Sequence, residues 1–123
     1  MKITDDKTLR ELQDEFSREF PFLKLEFLSN PGSVPSAHDY PKRLRPDLPV
    51  GSVRKIHTSG HISLDQKLPP DAIEKTFREI FGLEAKVSRK SFGKWVMTRP
   101  SDTRSLKEYN LLSMLTEERA VIV

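Results

Sequence analysis

Twice along this chain an apolar pattern of helical period gives way to one of period two, and each switch falls on a residue that stops a helix. The first helix is predicted to start at Thr8-Leu-Arg-Glu11, a capping box in which the hydroxyl accepts an amide of the first turn and Glu11 reaches back to the cap. Leu9, Leu12, Phe16 and Phe20 form its stripe, and Pro21 ends it by restricting Phe20. Leu23, Leu25 and Phe27 then alternate with Lys24 and Glu26, the pattern of a half-buried strand that Asn30-Pro31-Gly32 closes. The second helix begins at Pro69-Pro70, carries Ile73, Phe77, Ile80 and Phe81 on its stripe, and stops at Gly82, the residue suited to a left-handed cap. Leu83, Ala85 and Val87 again alternate with polar residues.

Leu12, Phe16 and Phe20 correspond to Ile73, Phe77 and Phe81 at a constant offset of 61 residues, so the chain reads as two helix–strand–strand units. The further strands are expected at Gly51–Ile56 and Gly93–Met97, with an extra short strand at His61–Leu64. A second capping box, Ser105-Leu-Lys-Glu108, opens a last helix whose stripe reads Leu106, Tyr109, Leu112 and Leu115 and which is expected to end near Glu118. Val121–Val123 reads as a strand or a docked tail. The fold class is α+β, with helices on one face of a mainly antiparallel sheet in the order α-β-β-α-β-β-α.

The second unit's hairpin has a turn that sets which side chains are buried. A three-residue loop, Ser91-Phe92-Gly93, places Gly93 where a positive φ is wanted. It pairs Lys90 with Lys94, Val87 with Met97 and Arg89 with Trp95, which buries Trp95 and Met97; a two-residue turn would expose them. In the first unit the equivalent connection is the segment at about 29–52, which holds five of the nine prolines and is expected to be irregular and a place for a protein partner.

The 123 residues suit a single domain over 1–123, and 36% hydrophobic residues supply a core despite a mean hydropathy of −0.54. The absence of cysteine excludes disulfides, thiolate nucleophiles and Cys-based metal sites. The acidic start and lack of a long apolar run point to a soluble cytoplasmic protein with no membrane partner.

No catalytic or cofactor motif stands out, and neither a cofactor nor a metal is expected. His57 and His61 would stand about 13 Å apart on a continuous strand and face opposite ways on a hairpin, so they make a poor ligand pair. Ser59, His61 and Asp65 read as a polar turn, and His38-Asp39-Tyr40 as loop polarity; a small hydrolase or isomerase would need one of the three histidines, His38, His57 or His61, to meet a carboxylate in a pocket. The five glycines are dispersed, so no phosphate-cradling loop is formed.

Charge is segregated. Residues 1–31 carry five basic and seven acidic side chains, whereas 86–107 carry seven basic side chains against Asp102 alone. The candidate polyanion-binding residues are Lys86, Arg89, Lys90 and Lys94 on the hairpin, with Arg54 and Lys55 from the first unit. Lysines on an exposed strand also prevent edge pairing.

The run from Phe81 to Thr98, followed by Ser105-Leu-Lys-Glu-Tyr-Asn110, resembles a group of small bacterial proteins of unknown function with mixed α/β folds. That resemblance implies a compact domain and no activity. The expected function is a non-enzymatic binding or adaptor module with a protein partner. Nucleic-acid or other polyanion binding through the basic hairpin is the alternative, and a small histidine-dependent enzyme the third reading; the oligomeric state is left open.

Overall fold

The computed structural model describes residues 1–29 and 42–122, with side chains described to Arg119. In chain order the described elements are β1 (Lys2–Ile3), α1 (Leu9–Glu19), β2 (Leu23–Leu28), β3 (Gly60–His61), α2 (Pro70–Phe81), β4 (Glu84–Ser91), β5 (Lys94–Met97) and α3 (Leu106–Ile122), with a single 3₁₀ turn at Val50–Ser52. They make an α+β fold with two antiparallel sheets: a small one pairing β1 with β3, and a three-stranded one in the order β2-β4-β5. Among the described residues no helix is long and apolar enough to cross a membrane.

The starts and stops follow the local chemistry. Thr8 Oγ1 accepts the Glu11 amide at 3.3 Å, and the two preceding amides of α1, Leu9 and Arg10, donate to the carbonyls of Leu48 and Pro46. Gly82 caps α2 at φ 66°, and Ser105 and Glu108 form a reciprocal box in which each backbone amide donates to the other's side chain.

All three helices lie against one face of the larger sheet. Leu25 pairs with Val87 and Phe27 with Ala85, and these four are buried together with Leu12 and Phe16 of α1, Ile73 and Phe77 of α2, and Leu106 and Tyr109 of α3. Phe27 meets Phe77 edge to face with ring centroids 5.5 Å apart. One acid joins this layer. Val87 turns both backbone groups toward β5; its carbonyl takes the amide and hydroxyl of Thr98, and its N–H donates at 3.0 Å to the buried carboxylate of Glu74 on α2. Burial pushes the Glu74 carboxyl above its ordinary value of 4.5, against the pull of the Val87 amide.

Several expectations are corrected. The hairpin turn is Phe92-Gly93 alone, pairing Ser91 with Lys94 and Lys90 with Trp95; φ values of 50° and 76° give the doubly left-handed turn that matches strand twist. The one-residue slip turns Trp95 and Met97 to the outer face of the sheet, where both are exposed. In α3, Leu112 and Leu115 are also exposed. A series spaced strictly by three drifts about 60° per step on a helix of 100° per residue, so Leu115 stands half a turn round from Leu106, and Ser113 takes the inner position instead. Ile80 of α2 is likewise exposed, and α3 runs through Ile122 where a strand or tail was the reading.

Gly51–Ile56 is not a strand, so among the described residues the second unit's hairpin has no counterpart in the first. The first unit is instead completed by Arg43, which bridges Leu28 on the free side of β2, and by Leu44, whose amide donates to Phe27 at 2.8 Å. β3 is shorter than His61–Leu64 and pairs with β1, a strand the sequence pattern did not predict. Residues 30–41 of the proline-rich segment lie outside the described residues.

Two measurements check this packing. Phe77→Ala is expected to cost about 3–5 kcal/mol in urea unfolding, and Ile80→Ala less than about 0.5 kcal/mol. Because the Glu74 carboxyl is raised in the folded state, its contribution to stability is present below pH 4.5 and lost as the pH rises through the shifted value; Glu74→Gln is expected to remove that slope from the difference between the two proteins.

Candidate functional site

Strand alternation puts Lys24 and Glu26 of β2, Lys86, Ser88 and Lys90 of β4, and Trp95 and Met97 of β5 on the face of the sheet away from the helices. The register sets Lys24, Ser88 and Met97 in one row and Lys90 beside Trp95. Lys24 stands two strands from Trp95, yet its Nζ is 5.7 Å from the indole centroid, and Lys90 Nζ is 5.8 Å from it. The lysine from β2 and the indole from β5 therefore converge over β4. The indole remains 39% exposed between two ammonium groups, each cation–π contact worth about 0.5–1 kcal/mol at such exposure.

The edge of this face carries a partly satisfied acid. Glu26 is buried, its Oε2 lies 2.8 Å from Arg43 Nε, and Lys24 Nζ is 3.9 Å from Oε1. Oε1 has no hydrogen-bond partner among the described residues, and a cleft of about 220 Å³ lined by Gln13, Lys24, Glu26 and Arg43 opens beside it. Glu84 is held by Arg78 at 3.1 and 3.2 Å, whereas Lys86 and Lys90 form no ion pair among the described residues.

The six residues proposed from charge alone therefore separate. Lys86 and Lys90 share the outer face. Lys94 is exposed but pairs with Ser91, one position out of phase, and Arg89 pairs with Leu23 and Val96 on the helix side, near Asp102 and Tyr109. Burial and the Asp102 carboxylate push the Tyr109 phenol up to about 12. Lys55 is exposed far along the chain, at the loop before β3, beside a groove with Ile56 and Gly82.

Arg54 is not a surface cation at all. Its side chain is 0% exposed; Nε donates to Asp5 Oδ1 at 2.9 Å, and one terminal nitrogen donates to the carbonyls of Thr58 and Phe81. Asp5 Oδ2 lies 2.8 Å from His57 Nδ1. Arg54 above all, and then His57, hold the Asp5 carboxyl below its usual range. A histidine thus does meet a carboxylate, but the pair is exposed, and among the described residues neither cleft is lined by His57. His61 lies in β3 opposite Lys2, and Asp65 caps its own turn through the Lys67 amide, so the Ser59, His61 and Asp65 grouping forms no shared site. His38 lies outside the described residues.

Lys24 and Trp95 are the members that charge reading missed. Lys24 sits in the polar phase of β2, and a Phe-Gly turn read as two residues would have placed Trp95 beside Lys90 on the same face. Neither a family model nor a curated protein nor a solved structure matches this chain.

Arg54→Met is expected to lower the melting temperature by several degrees, because it leaves the Phe81 and Thr58 carbonyls without their donor. The neighbouring Lys55→Met is expected to leave it unchanged, with both read by thermal circular dichroism.

Proposed function

We propose that this protein is a non-enzymatic binding module whose open sheet face takes single-stranded nucleic acid. The observation that carries the reading is Trp95, an aromatic surface exposed on a sheet between Lys24 and Lys90. Sequence-tolerant binding of single strands needs that combination: a ring on which a base stacks, and cations set beside it for the phosphates. Lys86 extends the cationic row along β4. Phe92, 69% exposed at the hairpin tip and held at φ 50°, is a second aromatic within the same hairpin. The protein-partner reading pointed to the proline-rich segment, half of which lies outside the described residues, and among the described residues no comparable constellation supports it.

Trp95 is the chain's single tryptophan, so its fluorescence reports on the site directly. Titration with mixed-sequence single-stranded DNA and RNA is expected to quench it, with an affinity falling with salt at a logarithmic slope of roughly −2 if Lys24, Lys86 and Lys90 each neutralise a phosphate. Trp95→Ala is expected to weaken binding by about 1–3 kcal/mol, measured by anisotropy of a labelled strand. Lys86→Glu with Lys90→Glu is expected to flatten the salt dependence. Absence of quenching at low salt, or binding indifferent to Trp95→Ala, would overturn the reading.

A further inference from the structure

Helix α3 turns leucines to solvent and a serine to the interior. Leu111, Leu112 and Leu115 are 49%, 37% and 45% exposed, whereas Ser113 is buried with its hydroxyl unpartnered among the described residues. The rotation is fixed from outside the helix: the Leu106 and Lys107 amides donate to Leu68 and Gln66, Asn110 Oδ1 accepts the Phe22 amide at 2.8 Å, and Glu117 accepts the Gly93 amide. The leucines therefore form a persistent outward stripe.

The charges at its two ends are ordered. At 100° per residue Lys107, Leu111 and Glu118 fall along one flank, Glu108, Leu112 and Arg119 along the other, and Leu115 between them. Each flank thus carries opposite charges at its opposite ends, and none of these four charged side chains is in an ion pair among the described residues. A two-fold axis crossing the helix near Ser113 reverses its direction while keeping each flank against its own copy. Lys107 then meets Glu118 of the partner subunit, Glu108 meets Arg119 of the partner subunit, and Leu112 packs against Leu115 of the partner subunit.

We propose that the protein forms a two-fold dimer through antiparallel pairing of α3 with a second copy. A foreign helix would not require charges that repeat in reverse order about a midpoint; a self-pairing surface does. Antiparallel packing also sets the helix dipoles favourably against each other. The inference rests on α3 alone and is independent of what the sheet face binds.

The test is sedimentation equilibrium of the full chain from micromolar to millimolar concentration. A monomer–dimer equilibrium is expected, and Leu115→Glu, which changes an exposed position, is expected to abolish it while the far-ultraviolet circular dichroism stays unchanged. Glu108→Arg is expected to weaken the dimer about tenfold, and adding Arg119→Glu to it to restore the affinity. A parallel dimer would set Glu108 against Lys107 and would not be rescued by that second change. A monomer throughout the range, a dimer that survives Leu115→Glu, or a double variant no tighter than Glu108→Arg would overturn the proposal.

Discussion

A guanidinium removed from water must find acceptors inside the fold, and those of Arg54 come from three parts of the chain: the Asp5 carboxylate for Nε, and the Thr58 carbonyl and the Phe81 carbonyl at the end of α2 for one terminal nitrogen, while the other terminal nitrogen lies 2.8 Å from Asp5 Oδ1 in an ion pair without a hydrogen bond. The segment entering α1, the loop before β3 and the last turn of α2 are thereby held at one point. Gly51 is part of the same arrangement, since a Cβ there would sit 2.8 Å from that of Asp5, and its amide donates to the Asp5 carbonyl. Because Gly82 follows directly and turns the chain into β4, the place at which α2 ends also sets where the central strand of the sheet begins.

The parts of the fold legible in the sequence are those decided by neighbours in the chain. Thr8, Ser105, Pro21, Gly82 and the alternation of Leu23 to Phe27 act through contacts within a few residues, and the helices and central strands stand where these place them. What was misread depends on remote or unusual geometry. Nothing local distinguishes Arg54 from Lys55; the acid that buries Arg54 is 49 residues away. The hairpin register turned on Phe92 adopting φ 50°, a conformation that bulky side chains rarely take, and that one residue moved Trp95 from the core to the surface. The candidate site was consequently half visible: Lys86 and Lys90 by charge, Lys24 and Trp95 only once strand pairing was known.

The two faces of the larger sheet differ in what packs against them. The inner one is closed by three helices and leaves no side chain of β2 at Leu23, Leu25 or Phe27 open to solvent. No described helix lies over the outer one, and its lysines would repel one another if Glu26 and the indole did not lie among them. Two of its cations are gathered around a ring rather than spread along an edge.

Ser29 and Lys42 join across the intervening segment by two hydrogen bonds, the Ser29 amide to the Lys42 carbonyl at 2.7 Å and the Lys42 amide to Ser29 Oγ at 2.9 Å. Just beyond them, Arg43 and Leu44 are fastened to β2, and Pro46 and Leu48 to the start of α1. The ends of the segment are thus joined just past β2, next to residues that also brace the start of α1. One short stretch, residues 42–48, therefore ties the free edge of β2 to the first turn of α1, so that a disturbance of that edge is felt where the first helix begins.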